Sequence, residues 1–216
     1  MGMGLYQTAV LPRLIDVAMR GDDLNRLRAG LLARARGRTL EVGFGTGLNA
    51  RHYPKGIDLV VVDDNPGMNT LATRRLQQAG LHARHEVLSG ESLPFADGSF
   101  DTVVVTFTLC SINDVASALR EMRRVLAPAG QLLFLEHGLA DDERSRRWQH
   151  VLNPLWQPVA GGCHLDRDTG ALLRTAGFDV EMQGQTLLSV GAVLGTVRWG
   201  IARHPSRETT ATSADP

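Results

Sequence analysis

The chain has 216 residues, 23 Lys and Arg against 23 Asp and Glu, and no formal net charge. That is enough for one domain with a substantial core, and it leaves no basic footprint for nucleic acid. Two cysteines, Cys110 and Cys163, are too few for a disulfide scaffold and lack metal-ligand spacing, so no metal is expected. Residues 1–23 contain no long apolar run and carry Pro12, Arg13 and Asp16, so neither a signal peptide nor a membrane span is expected there. The default is a cytoplasmic protein, monomer or homodimer, with no stable membrane insertion.

In chain order, residues 11–35 read as helical, breaking near Gly21, with Leu24, Leu27, Leu31 and Leu32 on one face. This stretch and what precedes it, residues 1–36, form a candidate lid or cap, amphipathic enough in residues 5–19 to touch a surface. "RTLEVG" predicts a strand and "GLNARHY" a short helix. A second strand covers residues 57–63, a helix follows Asn65-Pro66 as far as Leu76, and Ala79-Gly80 ends it. Residues 82–88 predict a weaker third strand. "FDTVVVTFTL" is apolar on both faces, as a central parallel strand must be. A helix over 115–126 is stopped by Pro128 and Gly130, and "QLLFLEHG" makes the fifth strand. Residues 141–156 predict another helix, and 179–188 and 193–202 a closing pair of strands. From Pro205 the tail has no apolar anchor and should be disordered.

Strand and helix alternate at the intervals βαβ units require. The fold class is therefore α/β, a Rossmann-like three-layer sandwich. Its mostly parallel seven-stranded sheet has an antiparallel C-terminal strand, over residues 37–204. Such sheets bind ligands beyond the carboxyl ends of their strands.

Straight after the first strand, "EVGFGTG" sets Gly43, Gly45 and Gly47 at alternate positions, where glycine permits positive φ and a close approach to a ligand. Asp63 lies 20 residues beyond Gly43, at the end of strand two, placed to bind the hydroxyls of a ribose. A pyrophosphate site normally has G-x-G-x-x-G. Here the spacing differs, and Glu41 just before the loop would repel a phosphate and favour a cation. A nucleoside carrying an amino acid and a positive charge fits, and S-adenosylmethionine is that ligand.

"LEVGFGTG" resembles the first motif of class I S-adenosylmethionine-dependent methyltransferases, with Asp63 matching the ribose-binding acid. "GESLPFADGSFDTVVVTFTLCSI" and "ALREMRRVLAPAGQLLFLEHG" are similar to later motifs of the ubiquinone-biosynthesis-like branch. By that resemblance Glu41, Gly43, Gly45 and Gly47 line the methionine end, Phe44 and Asn49 belong to the cofactor site, and Asn65 and Met68 flank the adenosine. Gly90 and Glu91 border adenine, and Thr106 and Leu109 lie beside the methionyl chain. Ser89 departs from the family pattern, in which an aspartate commonly reaches the adenine amine; backbone groups take more of that work here.

"LCSI", "EHG" and "RWQHVLNPLWQPVAGGCHLDRDTGALLRTAGF" together resemble small bacterial members and the vertebrate methyltransferase-like enzymes that methylate alkyl thiols and hydrogen sulfide. Those vertebrate relatives have an N-terminal membrane-anchoring segment, and none is expected here. The resemblance implies a small-molecule methyl acceptor, first a thiol. The alternative is an oxygen or nitrogen on an aromatic, a quinone precursor or a phospholipid headgroup. A thiolate needs alignment and water exclusion more than machinery, whereas an oxygen or nitrogen needs a base such as His137 or His164. His137 serves equally well as a structural histidine. Cys163-His164 is a candidate pair, more readily a pocket wall than a covalent nucleophile, since adjacent side chains diverge. Trp148 and Trp156 either lid the acceptor site or pack their helix on the sheet edge. Asp166 and Arg167 read as cap and bridge of a helix starting near Arg167. No cluster of bases marks a headgroup site, although folding can bring Arg167 and Arg198 together.

Overall fold

The computed structural model describes residues 6–205. One π-helical turn, Tyr6–Val10, leads into α1 (Leu11–Ala18), and α2 (Asp22–Leu32) begins after Gly21. The strands are β1 (Arg38–Val42), β2 (Asp58–Asp63), β3 (Ala83–Val87) and β4 (Phe100–Thr106), followed by β5 (Leu126–His137), β6 (Asp179–Leu187) and β7 (Thr196–Arg203). Between them lie α3 (Asn69–Gln78), α4 (Val115–Val125), α5 (Glu143–Val159), α6 (Thr169–Thr175) and the single turn α7 (Ala192–Gly195).

The sheet order is β3-β2-β1-β4-β5-β7-β6. The first five strands run parallel, and β7 is inserted antiparallel to both β5 and β6. The expected sheet with its antiparallel C-terminal strand is thus present. Central strands β1, β2, β4 and β5 bury both faces, so each feeds two separate cores. Leu40, Val103, Phe134 and Met122 belong to one core, and Val61, Val104, Leu133 and Leu32 to the other. Side chains alternate faces along each strand, which is why neighbours such as Val103 and Val104 part company.

Two predicted details differ. The helix expected in "GLNARHY" is only a 3-10 turn, Ala50–His52, because Asn49 and Tyr53 are both drawn down onto Glu41. Strand β5 starts at Leu126, so Pro128 ends no helix; it falls inside the strand. Pairing shifts from Phe100↔Leu126 to Thr102↔Gln131, and a proline is tolerated in that irregularity because it has no ladder hydrogen bond to lose.

The N-terminal segment lies against the carboxyl ends of β1 and β2. Buried Asp16 on α1 accepts from Thr46 Oγ1 at 2.7 Å and is paired with Arg75 and Arg20. Tyr6 donates its hydroxyl to Val159 O at 2.8 Å, tying the chain's start to α5. Gly67 lies so close to Thr8 that a Cβ there would stand 2.1 Å from its carbonyl oxygen. The tail expected to be disordered lies, beyond Pro205, outside the described residues.

Candidate active site

A cavity of about 560 Å³ opens at the carboxyl ends of β1, β2, β4 and β5, under α1 and beside α5. Its first half is built mostly from backbone. Gly43 has φ +75°, and a Cβ on it would lie 2.2 Å from Thr108 Oγ1, so the loop approaches the turn after β4 more closely than any side chain permits. Gly45, at φ +58°, has open space where its Cβ would be, and its N–H donates to Asp63 Oδ2 at 2.7 Å. Asn65 N–H donates to Asp63 Oδ1 at 2.9 Å. A carboxylate offers about four lone-pair positions. Two are taken by amides, and the remainder are available to a diol in the cavity that Asp63 lines. Burial pushes the Asp63 pKa up, opposed by those two amides.

Beside the loop, Asn49 donates to Glu41 Oε1 at 2.7 Å and to Thr106 Oγ1 at 2.9 Å, leaving its own buried Oδ1 without a partner. Tyr53 donates to Glu41 Oε2 at 2.5 Å. Burial raises the Glu41 pKa to about 8, while Tyr53, Asn49 and the Arg28 charge oppose it. Arg28, from α2, is itself buried in the cavity wall, with its Nε unpartnered and its guanidinium over Phe107. Burial lowers its pKa to about 10.

The turn after β4 carries the structure's one positive-φ non-glycine among the described residues, Phe107 at φ +53°. Such a conformation persists only where neighbours impose it. Here they are visible: Glu136 on β5 accepts from the amides of Thr108 at 2.9 Å, Leu109 at 3.0 Å and Cys110 at 3.4 Å. Arg167 closes the other side, donating to Leu109 O at 2.5 Å and Ile112 O at 2.7 Å. The turn thereby points Thr108, Cys110 and Ser111 into the cavity.

The second half of the cavity is a chamber of side chains. His137, 7% exposed, lines it with neither ring nitrogen hydrogen-bonded; Trp156 Nε1 is likewise buried without a partner. Both stand close enough to the Cys163 sulfur to favour its thiolate, after the larger contribution of the Cys110 thiol. Leu11, Leu14, Ile15 and Met19 roof this end.

Of the residues singled out from sequence, Gly43, Phe44, Gly45, Asn49, Asp63, Asn65 and Met68 line the cavity together. Ser89, Gly90, Glu91, Thr106, His137 and Cys163 line it as well. Four do not. Glu41 lies behind Asn49, fully buried. Gly47 packs on α3, where a Cβ would meet Ala72 Cα at 3.1 Å. Leu109 turns into the core. His164 stands outside the cavity wall, its Nδ1 3.0 Å from Gln157 Nε2. Trp148 is 51% exposed and takes no part in the cavity, unlike Trp156. The helix after residue 166 is capped by Asp168, which accepts from Ala171 N–H. Asp166 instead binds His150 and Asn153. Arg198 pairs with Asp141 while Arg167 holds the β4 turn, so these two arginines form no anion site. Neither Arg28 nor Glu136 was given a role from sequence. Arg28 is one of five arginines in residues 26–38, and Glu136 is the acid of "EHG"; neither could be singled out for its role before folding.

Residues 40–134 match the family described as "Methyltransferase domain". Thiol S-methyltransferase TMT1B of Rattus norvegicus is 38% identical over 153 residues, covering 68% of this chain and 62% of that protein. Demethylmenaquinone methyltransferase of Thermus thermophilus is 36% identical over 137 residues, covering 56% of this chain and 62% of that protein. Among solved structures, YcgJ from Bacillus subtilis superposes with a TM-score of 0.67 at 18% identity, over 84% of this chain and 97% of that one. The chain belongs to the class I S-adenosylmethionine-dependent methyltransferase superfamily, related to thiol methyltransferases and menaquinone methyltransferases. It spans less than two thirds of the length of the thiol methyltransferases it matches, at 62% of TMT1B. Among the described residues no helix is long and apolar enough to cross a membrane.

Proposed function

We propose that the protein is an S-adenosylmethionine-dependent methyltransferase that methylates the sulfur of a small thiol. One observation carries this reading: a single cavity joins the Asp63–Gly45 diol site to the chamber holding His137, Trp156 and Cys163. At the first end, Asp63 accepts the ribose hydroxyls, and Ser89, Gly90 and Glu91 border the adenine. Arg28 faces the methionyl carboxylate, and the unpartnered Asn49 Oδ1 receives the positive end of the ligand. Glu41 acts through Asn49 and does not itself touch the ligand. The donor, when bound, supplies an electrophilic methyl group on a sulfonium.

The acceptor chamber contributes little chemistry and much exclusion of water. Its wall is apolar apart from His137, Cys163 and the polar atoms of the β4 turn. The imidazole lies beside Cys163 and makes no other hydrogen bond, so it can take the proton of an entering thiol and raise its thiolate fraction. Residues 6–19 act as the cap that closes over both ligands. The thiol S-methyltransferases among the relatives support the acceptor class. A phenol or quinone precursor is the second reading, favoured by the same imidazole and by the menaquinone relatives.

Labelled S-adenosylmethionine offered with small thiols, phenols, amines and phosphatidylethanolamine tests the assignment. Methyl transfer to sulfur is expected, with a rate that rises with the acceptor's thiolate fraction. Turnover of a phenol or lipid amine, with none of any thiol, refutes it.

A further inference from the structure

Methyl transfer to a thiol needs one sulfur, and the acceptor brings it. The chamber nevertheless holds two more. Cys110 and Cys163 both line the cavity, near enough for each to shift the ionisation of the other. The backbone keeps them together: His164 N–H donates to Cys110 O at 2.7 Å, and a Cβ on Gly162 would lie 3.3 Å from Ser111 O. Glu136 and Arg167 brace the Cys110 side.

The two sulfurs are unequal. Cys110 is buried at 3% exposure, and its pKa is raised by the contact with Cys163 and by burial. Cys163 is only partly buried, and its pKa is lowered, first by the Cys110 thiol and then by His137 and Trp156. A thiolate open to the cavity, with a protonated thiol behind it and an imidazole beside it, is the arrangement of attacking and resolving sulfurs.

We propose that Cys163 and Cys110 form a thiol–disulfide exchange centre for small organic disulfides, with Cys163 attacking and Cys110 resolving. The Cys163 thiolate attacks one sulfur of R–S–S–R, forming the mixed disulfide and expelling R–S⁻ with the electron pair of the broken bond. Cys110 then attacks the Cys163 sulfur, and its proton passes to the second R–S⁻ as that group leaves. The two cysteines lose two electrons to become a disulfide; R–S–S–R gains them and becomes one thiolate and one thiol. An external dithiol restores the pair. The inference deepens the thiol reading, on which its use rests: the oxidised form of the acceptor is converted to the methylatable form in the chamber where methylation occurs.

The test uses the full chain, fully reduced, without methyl donor, and bis(2-hydroxyethyl) disulfide as probe, read by intact mass under non-reducing conditions. The sequence has only two cysteines, so every adduct is assignable. Wild type is expected to pass to the internal disulfide with release of both probe halves, and dithiothreitol to reverse it. Cys110→Ser, with Cys110→Ala as the variant should a buried hydroxyl disturb folding, is expected to stop at one adduct on Cys163. Cys163→Ser should react at least about 100-fold more slowly, since it removes the thiolate.

Release of the first probe half by wild type should also depend less on pH than the reaction of a simple alkyl thiol, and the Cys110 variants, which lack the thiol that chiefly favours the Cys163 thiolate, should shift toward alkyl-thiol behaviour. The groups facing Cys163 are Cys110, His137 and Trp156, with Glu136, His164 and Arg167 at electrostatic range. A wild-type adduct that never resolves, or a Cys163 no faster than an alkyl thiol, overturns the proposal. Exchange is read without donor and methyl transfer with the pair kept reduced, so either reading can fail while the other stands.

Discussion

The two ends of the cavity are made differently. The end proposed for the donor comes from short contiguous stretches that follow β1, β2 and β3, and much of what lines the cavity there is main chain: the Gly43 and Gly45 loop, the Asn65 turn, the Ser89–Gly90 segment. The end proposed for the acceptor is gathered from α1, the β4 turn, the end of β5, α5 and the segment before α7, and its lining is side chain. Backbone amides fixed by a sheet can hold one ligand shape across many sequences. A chamber of side chains changes with each substitution. The contrast explains why superfamily membership is readable at a distance while the acceptor has to be argued from individual residues such as His137 and Cys163.

If that contrast is right, damage at the donor end should be large and indifferent to the acceptor. Asp63→Ala removes the diol acceptor and strands the Gly45 and Asn65 amides. Calorimetry should show S-adenosylmethionine affinity reduced by one or more orders of magnitude, as expected from ~1–3 kcal/mol per lost charged hydrogen bond. Unchanged affinity in a folded variant breaks the assignment.

Damage at the acceptor end should depend on the acceptor. His137→Ala is expected to lower kcat/KM for weakly acidic thiols by roughly 10²-fold or more, the scale of a lost general base, with donor affinity preserved. The deficit should shrink as the pH rises or as a more acidic thiol is used. An equal loss for every thiol at every pH would mean that the imidazole only shapes the wall.

The smallest effect sharpens the boundary between the two ends. Burial holds the Glu41 carboxyl at about 8 against an ordinary 4.5, so the folded protein keeps this proton more tightly than the unfolded chain does. The stability that the proton contributes is full below pH 4.5 and is lost as the pH rises through about 8. Thermal denaturation across that range should show wild type losing stability relative to Glu41→Gln, which has no proton to release. Parallel pH profiles for the two proteins would place the Glu41 carboxyl outside this account.

Local pattern by itself determined the sheet order's raw material. Apolar runs that become two-sided strands, helices at βαβ spacing, the glycines after β1 and the acid ending β2 are all sequence-local features, set by periodicity and by backbone conformations that few residues adopt. The short reach of those rules also marks where they stop. Nothing near Leu126 announces that β5 begins before Pro128, because the pairing with Phe100 that permits it is long-range. Glu41 looked like a ligand contact from its position beside the loop, yet alternation along β1 turned it inward to Asn49 and Tyr53. His164 and Cys163 are neighbours in the chain and diverge in space; Cys163 and Cys110 are distant in the chain and line the same cavity. Arg28 reaches the cavity only because α2 packs on the sheet face beside it, and Glu136 organises the β4 turn only because β5 lies next to β4. Contacts of that kind depend on which surfaces the sheet brings together, so only the tertiary structure decided them.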